Sequence, residues 1–233
     1  MSSGGPSTGA QGANGAGVPD GGTPAPEFSV VSAEAVKYAA APTLKFALQA
    51  EDASGHEVFM VALVVQIHLD PVRRDYDDET RARLVELFGE PGRWAATTHS
   101  FQWAQVDVVV PAFTGTTTFE VPLACTFDLE LAAAKYLYSL PSGAAPLSFH
   151  FSGSVFYRAD DGRVQIVQIP WDRRAQFDFP VATWREMIDS YYPHSGWIAL
   201  HRDTLDALAS HKAERALPSF DACIAQLLEQ EQS

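Results

Sequence analysis

Cysteine is nearly missing from this chain. Two thiols in 233 residues, Cys125 and Cys223, cannot build a disulfide framework or a four-cysteine metal site. Cys125 falls on an inward slot of an alternating segment. Cys223 lies on the stripe Phe220, Cys223, Ile224, Leu227, Leu228, at helical spacing. Both read as small core residues in a reducing compartment. Positive charge is also short: 16 Lys and Arg against 29 Asp and Glu leave a net charge of −13. That balance argues against sequence-independent nucleic-acid binding, which needs cations to displace phosphate counterions. The two basic doublets, Arg73-Arg74 and Arg173-Arg174, have acids beside them and read as solvated loop charges. Long apolar runs are missing as well. The longest, Val58 to Val65, is too short to span a bilayer. Met1-Ser2-Ser3-Gly4 begins neither a basic nor an apolar leader, so a soluble cytoplasmic protein is expected. There is no G-x-S-x-G elbow, no phosphate loop, no H-E-x-x-H and no C-x-x-C.

What is present is strand patterning. From Phe119 to Phe127 every odd residue is apolar, and from Leu147 to Tyr157 the same parity recurs, broken only at Gly153. Period two marks half-buried strands with one face on a core. The expected class is mainly β within α+β: an antiparallel, sandwich-like scaffold with inserted helices and a C-terminal helical segment. Residues 1–27 hold eight of the sixteen glycines, four prolines and no aromatic residue, and read as a disordered tail. Residues 28–181 are expected to form the β domain, and 182–233 a helical appendix packed on it.

Along the chain, Leu44, Phe46 and Leu48 signal the first strand. Glu57–Leu69 is a long strand, apolar on both sides at its start and on one side at its end, which suits the middle of a sheet. Acids at 77–79, then Leu84, Val85, Leu87 and Phe88, then Gly89 and Pro91, predict a helix over 78–88. Strands follow at 101–110 and 116–127. Asp128 is placed to cap a helix over 129–140. Asp160-Asp161-Gly162 joins strands 147–157 and 163–169 as a hairpin, and Phe177 and Phe179 mark a last strand. Thr183-Trp184-Arg185-Glu186 reads as a capping box, and 203–216 and 219–228 as two further helices.

Two places could carry chemistry. At the polar end of the long strand, Gln66, His68 and Asp70 share one side at period two, followed by Arg73 and Tyr76. A His and a carboxylate so spaced can share a metal or act as a base and its orienter. Zinc needs a third ligand, which His150 could supply from a neighbouring strand. Against this stands an ordinary solvent-facing sheet end. Tyr191, Tyr192, His194 and Trp197 form the second place, either a binding hot spot or a ring-filled junction. The binding candidates are therefore His68, Asp70, Arg73, Tyr76, His150, Tyr192 and Trp197, with no catalytic residue, metal or cofactor assigned.

Several short stretches, taken in order, carry a resemblance. They are Ala41-Pro42-Thr43-Leu44, Leu87-Phe88-Gly89 with Trp94, and Lys135-Tyr136. Pro146-Leu147-Ser148-Phe149-His150-Phe151-Ser152-Gly153 with Phe156-Tyr157 follows. Trp184-Arg185-Glu186-Met187 with Tyr192-Pro193 and Trp197, and Arg215-Ala216-Leu217-Pro218-Ser219, complete the series. Residues 28–230 thereby resemble an actinobacterial domain family of unknown function, whose genes often lie near those of uptake nickel–iron hydrogenases. The resemblance implies an accessory role in assembly, scaffolding or docking of the hydrogenase, and no catalytic residue.

The function expected is thus a non-catalytic protein-interaction module, with a hydrogenase component as the implied partner. The alternative is a small-ligand or metal-binding enzyme using His68, Asp70 and His150. A nickel or iron metallochaperone is a third reading, weakened by the absence of clustered soft ligands.

Overall fold

The computed structural model describes residues 22–126, 128, 131–193, 195, 196 and 198–231. Among the described residues it is α+β, with 38% strand and 31% helix, two antiparallel sheets and six helices. The first sheet has the order β1-β2-β5, from Glu27–Ala35, Thr43–Glu51 and Thr116–Ala124. The second runs β4-β3-β6, from Phe101–Val110, Val58–Leu69 and Ala144–Arg158. The 15-residue β6 is long enough to seat two partners on its far side. These are β7, Val164–Gln168, beside residues 154–158, and β8, Arg174–Pro180, beside residues 144–150.

The inner faces of the two sheets meet ring against ring. Phe46 of β2 has its ring 5.2 Å from Phe149 and 5.9 Å from Phe179 of the opposite sheet. Phe28 of β1 stacks on Phe151 at 4.6 Å and meets Phe119 edge-on. The odd residues of β3 from Val61 to Leu69 and the alternating residues of β2 are almost fully buried. Period-two patterning becomes a two-layer core because each sheet hides one face against the other.

Helices close one end. α1, Asp78–Phe88, starts where the Asp77 carboxylate accepts from Thr80 N at 2.7 Å and stops at Gly89, whose φ of 78° only glycine adopts readily. The short α2, Trp94–Thr97, sets Trp94 edge-on to Phe88 and Tyr76. α3, Ala132–Ser139, buries Tyr136 and Leu137. α4, Val181–Tyr191, buries Trp184, Met187 and Ile188 in the common core. α5, Arg202–Glu214, and α6, Phe220–Glu231, pack on one another.

Several sequence expectations need correction. β1 has no counterpart in the alternation of the sequence. Its bulge between Val30 and Ser32 shifts the inward parity from Phe28 and Val30 to Ala33 and Ala35, which hides the alternation. Residues 24–26, expected in the tail, are tied to the fold. Pro24 and Pro26 are buried, Ala25 N donates to Asp52 Oδ1 at 2.8 Å, and Arg173 Nε donates to Pro26 O at 3.1 Å. The rest of the expected tail, 1–21, lies outside the described residues. β5 ends at Ala124, and Phe127 lies outside the described residues. α3 has Leu131, not Asp128, at its N-cap, and residues 129 and 130 are outside the described ones. The Thr183–Glu186 capping box does not form. The helix starts at Val181, behind Pro180, so Thr183 already lies in its first turn.

Gly153 marks where β6 runs closest to β3. A Cβ there lies 2.0 Å from the Ala62 carbonyl oxygen, and φ is 139°. Gly153→Ala is expected to cost about 3 kcal/mol or more, because backbone rather than a flexible side chain must move. Phe46→Ala is expected to cost about 3–5 kcal/mol through the cavity it leaves. Urea unfolding midpoints check both. A loss under about 0.5 kcal/mol for either variant contradicts the packing described.

Candidate functional site

His68 and His150 come together on the outer face of the five-stranded sheet. From Val61 to Leu69 the odd residues of β3 face the core, so Gln66 and His68 face out. In the β3–β6 register Gln66 is opposite His150 and His68 is opposite Ser148. The two imidazoles are diagonal neighbours, with ring centroids 4.9 Å apart. His68 is half-buried, and its Nε2 is buried with no hydrogen-bond partner. Burial pushes the His68 pKa below the ordinary value, the neighbouring His150 pushes the same way, and Asp70 opposes them. The neutral form of His68 is thereby favoured more than in a free imidazole.

Asp70 is on the same side but already engaged. Its carboxylate accepts from the Ser148 hydroxyl and faces Arg73 Nη1 at 3.8 Å. Arg73 in turn reaches Asp178 at 3.9 Å. Among the described residues no group of three or more His, Cys, Asp or Glu is arranged to hold a metal ion. The cluster is a pair of imidazoles beside a satisfied carboxylate. It offers two nitrogen ligands.

The other candidates lie elsewhere. Tyr76 is a pillar of the helical cap. Its hydroxyl bonds to Pro71 O at 2.8 Å and to the Tyr136 hydroxyl at 2.7 Å, and burial raises both phenol pKa values. Tyr192 closes α4, its N–H donating to Ile188 O at 2.8 Å, with its ring partly buried against the core. His194 and Trp197 lie outside the described residues. Three separate places therefore hold what the sequence suggested as two.

Cavities were not legible from the sequence. One of about 240 Å³ lies between β4, the end of β5 and α3, beside Cys125 and Trp184. Burial pushes the Cys125 thiol up to about 12, so it is not a nucleophile at neutral pH. A cleft of about 490 Å³ brings Arg83, Lys135 and Arg185 together. Its cations are engaged: Arg83 with Glu79, Lys135 with Glu86, and Arg185 with the carbonyls of Tyr138 and Leu140.

Another groove is apolar. Ile198, Leu200, Leu208, His211, Ile224 and Leu227 line a groove of about 430 Å³ along α5 and α6. The stripe that the sequence suggested as core is only partly covered, with Ile224 and Leu227 half-buried. Cys223 is fully buried, but Phe220 is 42% exposed and Leu228 60% exposed. Ile198, Leu200 and Leu205 are also exposed. The signal was present in the spacing of Phe220, Cys223, Ile224, Leu227 and Leu228. What the spacing does not state is whether anything covers the stripe.

The chain belongs to DUF6084, a family of unknown function, whose model matches residues 23–233. That span includes the helical pair as well as the sandwich. No curated protein matches the chain. Similar solved structures include a putative ApaA protein from Bordetella pertussis, at 12% identity and a TM-score of 0.28, covering 67% of this chain and 95% of that one. A putative late embryogenesis abundant protein shares 8% identity at a TM-score of 0.31, with 66% of this chain and 70% of that one covered. A β-glucosidase from Kluyveromyces marxianus shares 6% identity at a TM-score of 0.26, covering 67% of this chain and 15% of that one. Likenesses this slight carry no argument about function.

The lowered pKa of His68 has a consequence for acid stability. The folded state binds the proton less well than a free imidazole, whose ordinary value is 6.5. The stabilising preference for neutral His68 is complete above that value and is lost as pH falls through the lowered folded value. His68→Asn is expected to flatten the acid-side fall in Tm between about pH 7 and pH 5. An NMR titration should place the His68 ring below the ordinary imidazole range. A ring titrating at or above 6.5 contradicts the assignment.

Proposed function

We propose that this DUF6084 chain is a non-catalytic docking module for a partner protein of basic character. The observation that carries the reading is the helical pair at the C-terminal end. Its two helices, of 13 and 12 residues, keep Phe220 and Leu228 at their surface and, among the described residues, share one fully buried side chain, Cys223. Helices this short gain most of their stability from burying an apolar face. Contiguous exposed apolar surface beside a well-packed domain is the usual mark of an interaction site. The net charge of −13 favours a basic partner and speeds its encounter.

The family resemblance read from the sequence directs the search towards assembly or docking of an uptake nickel–iron hydrogenase. Two free cysteines suit work in a reducing cytoplasm. No helix among the described residues is long and apolar enough to cross a membrane.

A second reading keeps the His68–His150 pair as a ligand or metal site, supported by the unpartnered His68 Nε2. Titration with Zn²⁺ or Ni²⁺ separates the two. Stoichiometric binding that disappears in His68→Ala favours the second reading.

For the docking reading, affinity capture from the native organism should retain a defined partner with the wild-type chain. Leu205→Asp with Leu228→Asp should lose it at unchanged Tm. Both residues are exposed, so the double variant is expected to fold. Equal recovery of the partner by wild type and variant sinks the reading.

A further inference from the structure

The groove between α5 and α6 has a definite shape and charge. On α5 the lining residues Thr204, Ala207, Leu208 and His211 recur at i, i+3, i+4 and i+7, a straight strip about 10 Å long with Ala207 and Leu208 at its middle, Thr204 at one end and His211, whose buried Nε2 has no hydrogen-bond partner, at the other. On α6 it is met by Ile224 and Leu227, and Ile198 and Leu200 of the preceding segment complete its wall. A strip of this form matches the helix-in-groove mode of recognition, in which a partner helix lays its own i, i+3, i+4, i+7 residues along the groove. An extended strand fits it poorly, because strand recognition uses an open sheet edge and backbone hydrogen bonds, and helices here present neither.

The rim is acidic. At about 100° per residue, Asp203 and Glu214 fall on the outer side of the α5 strip, away from α6. By the same geometry Asp221 falls on the outer side of Ile224 and Leu227, away from α5. All three are exposed. Lys212, the cation between the two helices, is turned over the Phe220 ring, 5.4 Å from its centroid. Over residues 198–231 six carboxylates face three cations, Arg202, Lys212 and Arg215, a net charge of −3. Pairing two copies of this groove face to face brings acidic rims together, on chains that each carry −13. Like charges set opposite one another disfavour that dimer.

We infer that the α5–α6 groove receives one amphipathic helix of a partner protein, with leucine-like residues along one side and Lys or Arg on both flanks. The inference rests on the docking reading above and names the class of its partner. The partner helix supplies the apolar layer that α5 and α6 lack, so that three helices share one small core. Its basic flanks meet Asp203, Glu214 and Asp221.

The probe is a synthetic amphipathic helix of about 18 residues with Leu at the strip positions and Lys on the flanks. Two controls have the same composition in scrambled order, and Glu in place of Lys. Binding to the full chain is followed by calorimetry and by amide shifts. The Leu/Lys helix is expected to bind saturably, with shifts centred on 204–211 and 224–227. Ile198→Asp with Leu200→Asp, both exposed positions, should weaken it at least about tenfold. Asp203→Asn, Glu214→Gln and Asp221→Asn together should weaken it several-fold and remove most of its salt dependence. Equal binding of the scrambled or Glu peptide, or shifts outside the groove, overturns the helix class. So does self-association of the free chain in sedimentation that Leu228→Asp abolishes, since the occupant is then a second copy. Those outcomes leave the capture experiment with Leu205→Asp and Leu228→Asp to judge docking itself, so the two failures are distinguishable.

Discussion

Phe46 stands where the two sheets meet, and the arrangement of the rest follows from that meeting. A sheet of three strands cannot bury its apolar face alone. Here β1, β2 and β5 cover the inner side of β3 and β6, with aromatic rings rather than branched aliphatics filling much of the gap. Large rings hold the layers in one relative placement, because an offset or edge-on contact is lost by a small slide. The long β6 then positions β7 and β8, and β8 leads directly into α4, whose Trp184 returns to the same core. Arg185 donates to carbonyls at the end of α3, and Arg74 donates to the carbonyls of Ser142 and Ala144. The helical cap is thus fastened by guanidinium–carbonyl bonds as well as by burial.

That core ends at α4. Beyond it the chain makes a second, much thinner association, one helix against another with Cys223 between them. The contrast is energetic. Burial of a Leu or Phe side chain contributes about 1.5–3 kcal/mol, and the sandwich has many such residues while the helical pair has few. A unit stabilised so weakly is poised to gain from any surface that completes it.

The fold was legible wherever burial follows parity. The odd residues of β3 from Val61 to Leu69, the odd residues of β6 around Gly153, and the capped helix 78–88 stand as their patterns predict, while the register shift between Val58 and Met60 buries Val58 in place of Phe59. The class, two antiparallel sheets with helices, followed from them. β1 was hidden because one bulged residue, Val31, reverses its alternation midway. The start of α4 was misplaced because Thr183 and Glu186 imitate a capping box two residues inside the helix. Among the site candidates, the approach of His68 to His150 followed from their facing parity once β3 and β6 paired. Tyr76 could not be placed, since its partner Tyr136 is 60 residues away. The groove is the main feature that spacing could not reveal. A stripe such as Phe220, Cys223, Ile224, Leu227 and Leu228 states that a helix has an apolar side. It does not state whether the same chain covers it.

Amide hydrogen exchange of the free full-length chain tests most directly whether the helical pair is a partly built core awaiting a partner. Amides of α5 and α6 should exchange orders of magnitude faster than those of β3 and β6, and should slow on addition of the basic amphipathic helix while the sheets stay unchanged. Protection of α5 and α6 in the free chain equal to that of the sheets would show that the pair is already complete, and would contradict the account.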